Sequence, residues 1–153
     1  MDTSLPAVEK RLTAFRQRCA ERGLVLTPQR LAIYQVLAGD DSHPSAEDIF
    51  RRLKPVMPSL SLGTVYRTLE VFEASGLVSR MHAFGDQALF EANLEPHHHL
   101  ICLGCKRIMD LQDPRFEELP IRENVGDGFR VLAQRIHLLG LCRDCQDREA
   151  ASR

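Results

Sequence analysis

Four cysteines fall into two identical pairs, Cys102-x-x-Cys105 and Cys142-x-x-Cys145, with 36 residues between the pairs and His97-His98-His99 just upstream of the first. A CxxC turn lets two thiolates converge on one ion at about 2.3 Å each, and two such turns complete a soft tetrahedral set with no open position. That is the chemistry of structural zinc, which holds a fold together and performs no reaction. Its rivals are two disulfides or free core thiols; the spacing and reduced thiols favour metal. The long gap implies a hairpin and a helix of its own between the pairs. His97 and His99 lie two apart on a predicted strand, so their rings project from one face and His98 points to the other. Two imidazoles on one face are half of a second metal site, with surface or sheet histidines as the competing assignment. No HExxH or activated nucleophile accompanies them, which disfavours a hydrolase.

The elements that must position these residues are spread over 153 residues, enough for one medium domain or two small ones that gain from a staple. Hydrophobic residues make up 44% and charged residues 27%, a globular balance, and no apolar run reaches the roughly 18 residues of a membrane span. The first 18 residues carry scattered charge and no apolar core, so no signal peptide is expected and the predicted location is cytoplasmic. Net charge is −1; residues 1–80 carry 11 Lys+Arg against 9 Asp+Glu, and residues 81–153 carry 9 against 12. This weak asymmetry permits a local nucleic-acid patch in the first half and disfavours a long basic groove.

Val8, Leu12, Phe15 and Cys19 recur at helical spacing and predict a first helix ending near Gly23, with Cys19 as a packed thiol. Thr27-Pro28 is an N-cap and first-turn proline for a second helix carrying Leu31, Ile33, Tyr34 and Leu37. Ser45 and Asp48 form a capping arrangement for a third, which carries Ile49 and Leu53 and ends by Pro55. Leu62, Val65, Leu69 and Phe72 predict a fourth over 61–75, stopped by Gly76, whose other face shows Ser61, Thr64, Tyr66, Arg67 and Thr68. Strands over 77–84 and 88–91 around a Gly85-Asp86 turn complete a winged helix-turn-helix pattern. Periodicity alone leaves open a generic helical domain whose polar face meets solvent. The second half predicts strands at 97–102 and 107–110, a helix from Pro114 to about Asn124, a strand over 129–139 and a short helix or disordered end from Arg143. Exposed strand edges in so small a unit suggest pairing across a two-fold axis.

The run Ser61-Leu62-Gly63-Thr64-Val65-Tyr66-Arg67-Thr68-Leu69, then Gly76-Leu77-Val78, His97-His98-His99-Leu100-Ile101-Cys102 and the two CxxC pairs resembles the ferric uptake regulator (Fur) family. The resemblance runs from about Gly23 to Cys145 in order. It implies an α+β chain: a winged helix-turn-helix DNA-binding domain over 1–91, a hinge at 92–96, and a small α/β dimerisation and metal-binding domain over 97–153 with a four-cysteine zinc site. It also implies a regulator and no enzyme: a homodimeric repressor of metal homeostasis or peroxide stress genes that binds double-stranded DNA at an AT-rich palindromic operator, with no membrane or small-molecule substrate as partner. By the same resemblance Tyr66 and Arg67 are major-groove contacts and Ser61 and Thr64 lie near phosphates. Arg bonds guanine bidentately, Tyr packs on a thymine methyl, and hydroxyls at a helix amino end suit phosphate. Many relatives carry a lysine where this chain has Val25, so their minor-groove contact is not expected.

The resemblance completes the histidine site with His43, Glu91 and Asp110, giving a regulatory set of His43, Glu91, His97, His99 and Asp110. Three imidazoles and two carboxylates suit Fe2+ or Mn2+, beside the structural Zn2+. Iron sensors of the family tend to carry glutamate at both carboxylate positions and peroxide sensors aspartate, whereas this chain mixes the two and leaves both signals open. A further metal site of some relatives falls on Pro96 and Gln134 and is expected absent or incomplete. His82 and His137 are read as non-ligands. The alternative function is a zinc-stapled thiol redox switch or interaction protein without regulatory-metal control.

Overall fold

The computed structural model describes residues 5–117, 124–132 and 134–152, which fall into two compact units, Met1–Leu94 and Glu95–Arg153. In the first unit the chain runs through α1 (Leu5–Glu21), α2 (Pro28–Ala38), α3 (Ala46–Leu53) and α4 (Leu62–Ala74) into an antiparallel hairpin of β1 (Ser79–Met81) and β2 (Leu89–Glu91). Each helix start has a local cause. Thr27 accepts a hydrogen bond from the Arg30 amide at the head of α2, Ser61 accepts from the Thr64 amide at the head of α4, and Ser45 and Asp48 form a reciprocal capping box on α3. Helix α4 ends because Gly76 adopts φ +63°, which lets the Leu77 amide reach back to the Phe72 carbonyl at 2.8 Å and the Gly76 amide to Glu73.

The apolar faces meet in one core built from Phe15 and Cys19 of α1, Ile33, Tyr34 and Leu37 of α2, Ile49 and Leu53 of α3, Val65, Leu69 and Phe72 of α4, and Leu77 and Phe90. Phe15 stacks on Tyr34 at 3.7 Å between ring centroids, and Phe72 packs edge-on against both. Burying each such ring contributes on the order of 1.5–3 kcal/mol, which fixes the helices that carry the outer surface. Cys19 is buried in this core, and the low-polarity surroundings push its thiol pKa up.

Two expectations change in this unit. The strand predicted over 77–84 shrinks to 79–81, because Leu77 and Val78 leave the ladder to fill the core. Thr68, placed with the polar face of the fourth helix, is buried at 5% exposure and belongs to the packed side of α4.

The second unit is a three-stranded sheet in the order β4–β3–β7, made by β3 (His98–Cys102), β4 (Ile108–Leu111) and β7 (His137–Gly140). β3 pairs antiparallel with β4 and parallel with β7, in a register that sets His99 beside His137 and Cys102 beside Gly140. Between them come α5 (Pro114–Glu117) and a hairpin of β5 (Asn124–Val125) and β6 (Phe129–Arg130); α6 (Arg143–Ala151) follows the sheet. The predicted helix from Pro114 is confirmed only to Glu117. Its continuation falls on 118–123, outside the described residues, and Asn124 is already in β5. The single strand predicted over 129–139 is two: β6 turns back on β5, and only from His137 does the chain pair with β3. No helix among the described residues is long and apolar enough to cross a membrane.

Candidate metal centres

The parallel register of β3 and β7 brings the two cysteine pairs together. Cys102 ends β3, and the Leu103 amide donates to the Gly140 carbonyl at 2.8 Å, so the turn after β3 and the turn after β7 lie side by side. The Sγ atoms of Cys102, Cys105, Cys142 and Cys145 all lie within 4.8 Å of one another, and Cys105 and Cys142 are 3.7 Å apart. Thiolates at the corners of a tetrahedron about 2.3 Å from a central zinc are about 3.8 Å apart, whereas a disulfide needs about 2.05 Å. The donor set therefore fits zinc, and the cysteines are free thiols.

The surroundings pull Cys102 and Cys145 in opposite directions. Backbone N–H groups of Cys105 and Cys142 point at Cys102 and bring its pKa down to about 6; the Cys142 amide lies 3.2 Å from its sulfur. Burial pushes Cys145 up to about 11, against the pull of the Arg148 guanidinium, which donates to its Sγ at 2.9 Å. The approach is close: a Cβ on Gly104 would lie 2.9 Å from Cys145 Sγ and 3.2 Å from Cys145 Cβ. Glycine is needed in this turn for packing, and Lys106 adopts φ +64° to carry the chain out of it.

The second donor set begins on the same strand. His97 just precedes β3 and His99 lies within it, with their Nε2 atoms 3.0 Å apart. Asp110, paired with His99 across β4, brings Oδ1 to 3.7 Å from His97 Nε2 and 3.9 Å from His99 Nε2. Cis ligands about 2.1 Å from a six-coordinate ion are about 3.0 Å apart, the spacing of the two imidazole nitrogens, with the Asp110 oxygen farther off. His97 Nδ1–H donates to the Glu95 carbonyl at 2.7 Å, which leaves the Nε2 lone pair for an ion. His98 points the other way, as expected, and is buried: its Nδ1 accepts from the Ile136 amide at 3.3 Å and its ring meets Phe116.

In the first unit, His43 Nε2 lies 3.0 Å from Glu91 Oε2, with both residues buried. The connection is structural: Ser45 bridges Leu89 and the Phe90 amide donates to the Pro44 carbonyl at 3.0 Å, so the loop before α3 docks against β2. His43 adopts φ +58°, a conformation rare for a side-chain-bearing residue and one that marks functional sites. The remaining histidines, His82 and His137, belong to neither donor set. His82 is exposed, and His137 is exposed with its ring 5.3 Å from His99. Gln134 Nε2 donates to the Phe116 carbonyl.

On α4, Ser61 is the exposed N-cap and bonds Thr64 Oγ1 at 2.8 Å, Arg67 is exposed with Nη2 3.4 Å from Thr64 Oγ1, and Tyr66 is 39% exposed. Sequence reading missed a fixed partner here. The Tyr66 hydroxyl donates to Glu47 Oε1 at 2.5 Å, raising the phenol's pKa and lowering that of the Glu47 carboxyl. The sequence offered no signal for Glu47 beyond its place in the first turn after the Ser45 cap, and none for Gly104 beyond lying inside a CxxC.

Residues 21–139 match the family model described as the ferric uptake regulator family. A peroxide-responsive repressor PerR from Staphylococcus saprophyticus is 33% identical over 97% of this chain and all of its own length. Among solved structures, a zinc-bound manganese uptake regulator is 34% identical, covers 84% of this chain and 98% of its own, and superposes with a TM-score of 0.66. The Vibrio cholerae ferric uptake regulator is 32% identical over 82% of this chain and 98% of its own, also at 0.66. With a winged helix-turn-helix unit, a four-thiolate cluster and a second donor set of imidazoles and carboxylates, the chain belongs to the ferric uptake regulator family of metal-responsive, DNA-binding regulators.

Proposed function

We propose that this chain is a repressor that binds a palindromic, AT-rich operator as a homodimer when a regulatory site of His43, Glu91, His97, His99 and Asp110 holds Fe2+ or Mn2+, with zinc on the four cysteines as a permanent staple. The observation that carries this reading is the burial of carboxylates among imidazoles. Glu91 is 2% exposed against His43, and Asp110 lies 3.7 Å from His97. A buried carboxylate is costly unless a cation or hydrogen bonds offset it, and this mixed nitrogen and oxygen set is harder than the thiolate cluster.

Bound metal would supply a clamp, because His43 and Glu91 belong to the first unit and the other three residues to the second. An ion that takes ligands from both favours the one orientation in which all of them reach it. A dimer reading a palindrome needs its two recognition helices about 34 Å apart, and moving such an equilibrium from mostly open to mostly closed takes about 5 kcal/mol of differential binding. In this reading Tyr66 and Arg67 of α4 meet base edges, and Ser61 and Thr64 lie by phosphates. The test is a manganese titration of operator binding followed by fluorescence anisotropy. His43→Ala and His97→Ala lose the metal-stimulated component while remaining folded dimers; a response to manganese equal to that of wild type would overturn the clamp.

A second reading concerns the signal. The peroxide-responsive relatives and the aspartate at 110 favour a sensor in which peroxide oxidises His43 or His97 of the iron-loaded protein and so removes a ligand. Mass spectrometry of that protein after peroxide distinguishes the cases: one added oxygen on either histidine supports peroxide sensing, and its absence supports iron or manganese sensing. A thiol switch is separated by another outcome, reversible zinc release under mild oxidant with DNA binding indifferent to manganese.

A further inference from the structure

We propose that Glu47 determines DNA specificity: its carboxylate anchors the Tyr66 phenol and sets a negative charge beside the recognition helix, favouring matched over random DNA. This rests on the reading of α4 as the helix that meets DNA.

One hydrogen bond links the outer faces of two helices that already pack in the core. Tyr66 stands on the exposed face of α4 next to Arg67, and its hydroxyl donates to Glu47 Oε1 at 2.5 Å across to α3. Glu47 occupies the first turn of α3, where the positive end of the helix favours an anion. The Ser45 hydroxyl also favours the Glu47 carboxylate, and the cationic Arg51 bonds Asp48 Oδ1 at 3.0 Å. The Glu47 charge therefore remains at the surface that carries Tyr66.

Two consequences follow, and they act on different DNA. Fixing the ring before DNA arrives removes the cost of ordering it on binding, which helps only a duplex that offers the ring a partner such as a thymine methyl. The carboxylate also repels phosphates, and that penalty falls mainly on random DNA, which is held through its phosphates alone, whereas a matched duplex turns base edges toward Tyr66. Attraction for the match and repulsion of the rest come from the same side chain.

The experiment uses the full-length, manganese-loaded protein and a duplex selected by wild type from a random pool, compared with a shuffled duplex at one salt concentration. Glu47→Ala lowers the ratio of the two affinities by about tenfold, by weakening the selected duplex and strengthening the shuffled one. Glu47→Gln keeps an acceptor for the phenol and loses the charge, so the ratio falls only about threefold, through the shuffled duplex alone. Tyr66→Phe weakens the selected duplex as Glu47→Ala does, and the double variant weakens it no further, because both remove one anchor. An unchanged ratio in both Glu47 variants, or additive effects of Glu47→Ala and Tyr66→Phe, would overturn the proposal. If wild type selects no sequence at all, the reading of α4 fails instead. If Arg67→Ala lowers the ratio while neither Glu47 variant does, that reading stands and the role of Glu47 alone is lost.

Discussion

The four-thiolate cluster and the His97, His99 and Asp110 trio share one strand, β3, of one small unit, yet they are built on opposite plans. The thiolates come from two tight turns packed so closely that a Cβ at Gly104 would stand 2.9 Å from Cys145 Sγ. Four soft donors close a tetrahedron and leave nothing to exchange. The trio is three atoms spaced 3.0 to 3.9 Å apart on one side of the sheet, which is fewer donors than a first-row ion takes. A closed site can only hold a fold together; an open one can respond to what completes it.

The largest expected effect separates the two plans outright. Cys102→Ser removes a ligand from a site whose apparent zinc affinity is on the order of 10 kcal/mol of folding free energy, so the second unit loses zinc and its native far-ultraviolet spectrum. A soluble dimer with cooperative unfolding in that variant would show that the cluster is no staple. His97→Ala is the complementary cut. It leaves one zinc per chain by atomic absorption and abolishes manganese binding measured by calorimetry; loss of zinc there would merge the two sites into one.

Gly104→Ala probes the packing that distinguishes them. Overpacking of this kind costs about 1–3 kcal/mol, so the variant surrenders zinc to a chelator sooner than wild type while its manganese affinity holds. Equal zinc retention would mean that the turn can widen at no cost. The smallest effect lies at the head of α3 in the first unit. Ser45→Ala removes the cap of α3 and lowers the stability of the first unit by about 1 kcal/mol at neutral pH, read by urea denaturation. The Ser45 hydroxyl lowers the Asp48 pKa, so this contribution is present above the ordinary aspartate value of about 3.9 and is lost as pH falls through the lower folded value. The gap between variant and wild type therefore narrows in acid to what the bond from the Asp48 amide to Ser45 retains, and a gap unchanged there would take the Asp48 carboxylate out of the account.

Much of the first unit was legible because its determinants are local. Caps at Thr27, Ser45 and Ser61, the stop at Gly76 and the apolar stripes act within one or two turns of the chain, and the helices begin and end where those residues say. Strand extents were less legible: Leu77 and Val78 have strand-like side chains, but the core claims them first. In the second unit the apolar run from Phe129 could not reveal that it divides between a hairpin and the sheet edge, since residue type does not name the partner strand.

Sequence alone determined the chemistry available here: two CxxC pairs able to make a closed thiolate site, and alternating histidines able to share a face. Tertiary structure decided which distant groups meet. The parallel pairing of β3 with β7 sets Cys102 beside Gly140 and so brings two turns nearly forty residues apart onto one centre. The Ser45–Leu89 bridge and the left-handed His43 do the same for His43 and Glu91, and the contact between α3 and α4 joins Glu47 to Tyr66. Local propensity reaches a few residues along a chain; strand register and helix packing are settled only when the whole core is buried at once.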